Sequence, residues 1–305
     1  MKEILSTSQL QAFVAVAKHG SVTAAASELG RSQPAISQRL RQLEDELGVQ
    51  LLQPHGRGVM LTRDGELFYE RAKEVVANLR ALPGLVDAES SEPRGVLRVG
   101  SLPTITQHLL INAIHQMVTE HPAVQLKIEL GLEADLMAKL REGWLDAVYF
   151  IGDVDSWGLD VNHLAEIRIR VAAPFGMYHA APSLEELRAE RLLLWKGPPD
   201  PSFQTVERHA RSNGLVTPNT VEISHIDSLK ALAARGTGYA LLPDYVLAKE
   251  VSKNELSVFP FPGFETTFPL VILSRKDRAH TKALARFAAM VEHTLAAVVP
   301  SISSE

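Results

Sequence analysis

Two groups of residues in this 305-residue chain have the types and spacing to do chemistry, and a third has the type without the spacing. In "GRSQPAISQRLRQLEDELG", residues 30–48, the short polar side chains of Gln33, Ser37 and Gln38 recur at helical spacing, and Arg31, Arg39 and Arg41 are the only charges between Arg31 and Leu43. Such side chains suit base edges and phosphates in a major groove, where the start of a recognition helix docks. They equally suit the solvated face of a helical bundle, and the residues alone leave both readings open. A second group, Ser101 and Thr104 in "GSLPTIT" and Ser202 in "GPPDPSFQT", offers hydroxyls beside helix starts, where backbone N–H groups are unpaired. The third is the set of eleven histidines, which contains no His-x-x-x-His pair and lies near no carboxylate cluster at metal spacing. Neither G-x-S-x-G nor a G-x-x-x-x-G-K phosphate loop occurs, and "GTGYAL" lacks the third glycine of a dinucleotide fingerprint.

With no cysteine, thiolate nucleophiles, disulfides and thiol-based redox sensing are excluded. No catalytic residue, metal or cofactor is expected. A composition of 46% hydrophobic and 22% charged residues is that of an ordinary globular protein with room for more than one domain. The N-terminus has neither the basic start nor the apolar stretch of a secretory signal, and no membrane span is expected, so a cytoplasmic location follows. The net charge of −5 supplies no general attraction to nucleic acid.

The elements that must position these residues read in two textures. Residues 8–61 form short helices with tight turns and a Gly-rich wing, "PHGRGVML". Within the opening stretch Ser32 suits an N-cap whose oxygen accepts from the first turn, and Pro34 costs little so early in a helix. Ile36, Leu40, Leu43 and Leu47 then face a core and turn Gln33, Ser37 and Arg41 outward, with Gln38 alongside. From Phe68 the apolar residues Ala72, Val75, Leu79, Leu82 and Val86 continue at heptad spacing, which predicts either a seam for a second helix or packing on the helix's own domain. A kink or early end is expected at Pro83-Gly84. Beyond the linker "DAESSEPRG", strands such as "VLRVGS", "VQLKIELG", "DAVYFIG" and "EIRIRVAA" alternate with helices, the pattern of a mostly parallel sheet in two halves.

The pattern "TAAASELGRSQPAISQRLRQLEDELGVQLL", followed by "RGVMLTRDGELFYERAKEVV", closely resembles the winged helix-turn-helix and linker helix of LysR-type transcriptional regulators. The resemblance implies an α/β protein overall: a winged helix-turn-helix over 1–62, a linker helix and dimerisation hinge over 63–93, and an effector-binding domain over 94–305. That last part would resemble type 2 periplasmic binding proteins, with subdomain I about 94–165 and 268–305 and subdomain II about 166–267. It further implies a homodimer or homotetramer that binds double-stranded promoter DNA through Arg31, Ser32, Gln33, Pro34, Ser37, Gln38 and Arg41, with Arg57 on the wing. Pro54 stands where relatives often carry an arginine, so a phosphate contact would pass to His55 or Arg57.

In a two-lobed α/β domain a ligand sits at the carboxyl ends of strands. The candidates there are Ser101, Leu102, Pro103 and Thr104 in the first loop. Ser202 and Phe203 begin a helix in the other lobe, His225 ends a strand, and Gly236 and Gly238 let backbone approach a ligand. Glu133 stands where relatives usually have a serine or threonine, which argues against a simple carboxylate and for an effector that is neutral or offers a donor as well as an acceptor. The effector itself has no identity at this level. A small-molecule-binding protein without DNA function, and an enzyme, are the competing classes.

Overall fold

The computed structural model describes residues 5–56, 58–87, 92–197, 201–276 and 282–298. The chain divides into two compact units, the first comprising residues 1–86 with 138–144 and the second the remainder.

In the first unit, α1 (Thr7–His19) opens on a capping box: Ser6 Oγ accepts from Gln9 N, and Gln9 Oε1 accepts from Ser6 N at 2.6 Å. A serine cap also starts α2 (Val22–Glu28), and the turn that follows passes through Gly30 at φ +62°, a left-handed conformation costly for any residue with a Cβ. The chain then enters α3 (Gln33–Leu47), where Pro34 sits in the first turn. Ser32 holds the cap position with extended backbone, yet its side chain makes no cap bond, contrary to the sequence expectation. Pro34, the second residue of the helix, removes one of the two N–H groups that a cap oxygen can reach.

Ile36 and Leu43 are fully buried, Leu40 nearly so, and all three join Phe13, Val14 and Val16 of α1 in one core. Each such side chain contributes roughly 1.5–3 kcal/mol by leaving water. At the far end of α3, Glu44 Oε1 accepts from the backbone N–H groups of Leu51 at 2.8 Å and Leu52 at 3.0 Å. That carboxylate leads the chain into the wing, β1 (Leu52–His55) paired antiparallel with β2 (Gly58–Leu61). The wing lies against the α1–α2 turn through a bond from Val59 N to Gly20 O. A Cβ at Gly58 would stand 2.2 Å from that same carbonyl, so only glycine allows the approach.

The linker helix α4 (Arg63–Asp87) continues through Pro83 and Gly84, which corrects the expected early end. A proline removes only its own bond to the preceding turn, and little more than one turn remains beyond it. The heptad seam is also divided. Phe68 and Ala72 pack into the unit's own core, Phe68 edge-on to Phe13 at 5.4 Å, whereas Val75 is 45% exposed and Leu67, off the expected seam, 68%. The side chains of Leu82 and Val86 lie outside the described residues.

The second unit begins with β3 (Gly95–Ser101), then α5 (Pro103–Ile105), a π-helical turn over Thr106–Leu110, and α6 (Ile111–Glu120). Next come β4 (Val124–Leu130), α7 (Glu133–Arg141), β5 (Ala147–Ile151) and the long β6 (Leu159–Pro174). The chain continues through α8 (Leu184–Ala189), β7 (Leu192–Trp195), α9 (Pro201–Ser212), β8 (Val221–Ile223), α10 (Ile226–Ala234) and β9 (Tyr239–Pro243). A 3-10 turn over Asp244–Val246 and α11 (Ala248–Ser252) stand where a single helix is expected, followed by β10 (Leu256–Pro260), β11 (Thr267–Arg275) and α12 (Lys282–Val298).

Strands run in the order β4-β3-β5-β11-β6-β9-β7-β8, with β10 also on β6. The two ends are parallel, β3 with β4 and β5, β7 with β8 and β9. The middle is antiparallel, so the sheet is more mixed than the alternation of elements suggests. Residues 159–168 of β6 pair with β11, and from Ile169 the same strand pairs with β9. One strand therefore belongs to both lobes. The sequence reading starts it only at Glu166, because Asp160, Asn162 and His163 interrupt any apolar pattern.

Glu44→Ala leaves two backbone donors without their acceptor and is expected to lower the unfolding free energy by about 1–3 kcal/mol in urea titrations. Glu44→Gln keeps a carbonyl oxygen in place and should lose less.

Candidate functional site

On the first unit the start of α3 presents a continuous polar surface. Arg31, Ser32, Gln33, Pro34, Gln38 and Arg41 are exposed and Ser37 half-buried, on the side opposite the leucines. Two of these side chains already have partners. Gln33 Nε2 donates to Thr23 Oγ1 at 2.6 Å, tying the recognition surface to α2, and Arg41 Nε donates to Ser37 O at 3.4 Å. Thr23 is exposed and had no place among the sequence candidates; its helical position ten residues before Gln33 was the available signal. Pro54 and His55 are exposed on β1, and Arg57 lies outside the described residues.

In the second unit a cleft of about 390 Å³, including its mouth, opens where the two halves of the sheet meet. Leu102, Thr104 and Ile151 line it from the first lobe, and Ser202, Phe203, Pro243 and Tyr245 from the second. Ile167, Ile169 and Phe268 form its floor on the crossing strands β6 and β11. Four of the sequence candidates thus converge: Leu102, Thr104, Ser202 and Phe203.

The others stand elsewhere. Ser101 is fully buried, hydrogen-bonded with Thr106 Oγ1 and donating to Leu102 O at 3.2 Å. Pro103 is exposed at the first turn of its helix and does not line the cleft. Glu133, at the head of α7, and His225, whose Nδ1 is 3.0 Å from Ser228 Oγ, are also outside the lining. Gly236 is exposed at the end of α10, and at Gly238 a Cβ would meet Arg191 O at 2.1 Å, so its bare backbone serves the packing of β9 on β7. Sequence reasoning missed the floor. The alternation of Ile167, Ile169 and Val171 was its signal, as was the strand-end position of Pro243 and Tyr245.

Polar contacts among the described residues cross between the lobes beside the cleft. Tyr245 O–H donates to Thr104 Oγ1 at 3.2 Å, Gln107 Nε2 donates to Asp227 Oδ2 at 2.7 Å, and His108 Nε2 approaches Asp227 Oδ1 to 3.4 Å without hydrogen-bond geometry. Asp227 is held by the buried Lys230, whose Nζ also reaches Glu250 at 3.1 Å and donates to Val246 O. Burial raises the Asp227 carboxyl, but the hydrogen bond and charge of Lys230, with His108 and Gln107, bring it below the usual carboxylate range. Burial, reinforced by Lys230, holds the His108 imidazole below 6.5 against the opposing pull of Asp227. Behind the floor, Asp244 Oδ2 accepts from Arg168 N at 3.2 Å, and burial pushes its carboxyl up despite that bond.

A helix-turn-helix with a polar-fronted third helix and a wing, in a chain that also carries a two-lobed α/β unit around a cleft, defines a ligand-responsive DNA-binding regulator. Residues 7–66 match the bacterial regulatory helix-turn-helix protein, lysR family, and residues 90–296 match the LysR substrate binding domain. The chain belongs to the LysR family of transcriptional regulators. It is 29% identical to the regulator PcaQ of Agrobacterium fabrum over 279 residues, 88% of each chain. With BenM of Acinetobacter baylyi it shares 28% over 279 residues, 89% of this chain and 90% of that one. A full-length OxyR variant from Pseudomonas aeruginosa superimposes with a TM-score of 0.71 at 25% identity, covering 95% of both chains. As a member of this family the protein binds promoter DNA and a small-molecule effector and acts as an oligomer. Among the described residues no helix is long and apolar enough to cross a membrane.

The pH dependence of stability follows from the polar contacts across the lobes. A histidine with a lowered folded pKa is protonated first in the unfolded chain, so His108 contributes nothing above about pH 6.5 and subtracts stability below it. Asp227 acts in a lower window: its contribution is complete above its unfolded value and is lost as pH falls through its depressed folded one. Thermal unfolding of His108→Gln should therefore lose less stability than the native chain between roughly pH 6.5 and 5, and match its pH slope above that range.

Proposed function

We propose that the polar front of α3 reads an operator half-site and that a small molecule bound between the lobes controls how paired reading heads are spaced. The assignment gives base edges to Gln33, Ser37 and Gln38, helix positioning to Ser32 and Pro34, and phosphates to Arg31, Arg41 and, on the wing, Arg57. The domain limits go with it: a reading head over 1–62, a linker over 63–93 and a sensor over 94–305. Thr104, Ser202 and Phe203, with Leu102, carry the effector contacts, and Tyr245 joins them.

The observation that carries this reading is that both lobes and the strands crossing between them line one cleft. A ligand there touches residues whose relative positions depend on lobe closure, so it binds one arrangement more tightly and shifts the population toward it. The polar contacts from Thr104 and Gln107 across to Tyr245 and Asp227 belong to the closed arrangement. A two-fold pair of reading heads implies a partly symmetric operator, and assembly of two such pairs into a homotetramer gives four heads to place. The protein works in the cytoplasm, without catalytic chemistry, metal or cofactor.

Operator binding tests the assignment. Ser37→Ala and Gln33→Ala are each expected to weaken specific binding by about 1–3 kcal/mol in mobility-shift titrations, while non-specific binding stays level. Arg57→Ala should lower the salt slope by about 0.9 with sequence preference retained. Unchanged operator affinity in both Ser37→Ala and Gln33→Ala removes the groove assignment.

A further inference from the structure

The chemistry of the cleft wall constrains what it holds. Among the described residues that line it, seven of the ten side chains are hydrocarbon, three carry hydroxyls, and none is charged. The buried ammonium of the second lobe, Lys230, is committed to Asp227, Glu250 and Val246 O and does not reach the lining. The helices that begin at the cleft start with Pro103 and Pro201, so each offers one backbone N–H fewer in its first turn, and the amides that remain carry only a partial charge. A carboxylate entering here would exchange its hydration for hydrocarbon without gaining a cation.

The aromatic part of the wall is already in position. Phe203 lies against Trp195 with ring centroids 4.3 Å apart and planes tilted by 31°. Phe268 leans on Phe264 at 6.4 Å, and Tyr245 meets His108 edge-on at 6.4 Å. Rings held by neighbours lose little freedom when a ligand arrives, and they favour a flat, polarisable partner. Among the three hydroxyls, that of Thr104 has an orientation set by a bond within the wall. Thr104 Oγ1 accepts the Tyr245 hydroxyl proton, which leaves the threonine's own proton for an acceptor on the ligand.

We propose that the effector is a small uncharged molecule with an unsaturated or aromatic ring and a hydrogen-bond acceptor, seated against Phe203 and Phe268 with its acceptor on Thr104. This rests on the reading of the cleft as the effector site. It moves the argument for a neutral ligand from Glu133, which is outside the lining, to the wall itself.

Calorimetry and ligand-observed saturation-transfer NMR on the full chain test it, with acetophenone and benzamide as neutral probes, benzoate as the charged isostere and ethylbenzene as the probe without an acceptor. The neutral carbonyl compounds should bind at least about tenfold more tightly than benzoate, because the carboxylate finds no counter-charge. Phe203→Ala should weaken every ring probe severalfold, and Ile169→Arg should shift the preference toward benzoate. Thr104→Val, nearly isosteric, should cost acetophenone several times more than ethylbenzene, a contrast that does not depend on the larger substitutions folding. Benzoate binding as tightly as benzamide, or no binding of either neutral carbonyl compound up to its solubility, overturns the proposal. Failure of the cleft reading has a different signature: probe binding that Phe203→Ala, Ile169→Arg and Thr104→Val all leave unchanged in variants with native circular dichroism.

Discussion

The sensor unit depends on the continuous hydrogen bonding of β6, which runs from Leu159 to Pro174 and changes partners between Arg168 and Ile169. A strand cannot be cut without leaving backbone donors and acceptors unpaired, so the two lobes share it, and the chain returns between them by the segment joining β10 to β11. Whatever moves one lobe against the other acts at this switch. Ile167 and Ile169, on either side of it, point into the cleft and form its floor. On the opposite face, Arg168 N donates to Asp244, the residue between the cleft-lining Pro243 and Tyr245. The floor of the cleft and the point where β6 changes partners are thus the same few residues.

Polar contacts set the preferred lobe arrangement on top of that scaffold. The π-helical turn over Thr106–Leu110 contributes Gln107 and His108, which reach Asp227 of the second lobe. A buried lysine held by two carboxylates and a carbonyl is costly to desolvate, and its contribution is positional more than energetic. It keeps Asp227 charged and aimed at the first lobe. In the DNA-binding unit the corresponding economy is Glu44, one carboxylate that ties the chain beyond α3 to the start of the wing.

Much of this was legible in one dimension. The spacing of Ile36, Leu40 and Leu43 and the glycines at 20, 30 and 48 determine helix faces and helix ends, since periodicity and left-handed turns are local properties. Leu102, Thr104, Ser202 and Phe203 were legible because helix starts after strands are where an α/β cleft forms. Residues 159–165 were not legible as strand, because pairing with β11 along an exposed surface leaves no alternation to read. At the linker seam the spacing left two readings open, and Phe68 and Ala72 took the local one, packing on Phe13 of the same unit.

The sequence by itself determined which face of α3 is polar, through the short-range spacing of side-chain size and charge, and its resemblance to LysR-type regulators pointed to the class of protein. Only the tertiary structure decided that Glu133, His225, Gly236 and Gly238 stay outside the cleft, and that Ile169, Tyr245 and Phe268 enter it. Those outcomes depend on contacts between residues far apart in the chain, such as the bond from Tyr245 to Thr104 across 141 positions. No local pattern encodes them; they exist only once both lobes have closed around the shared strand.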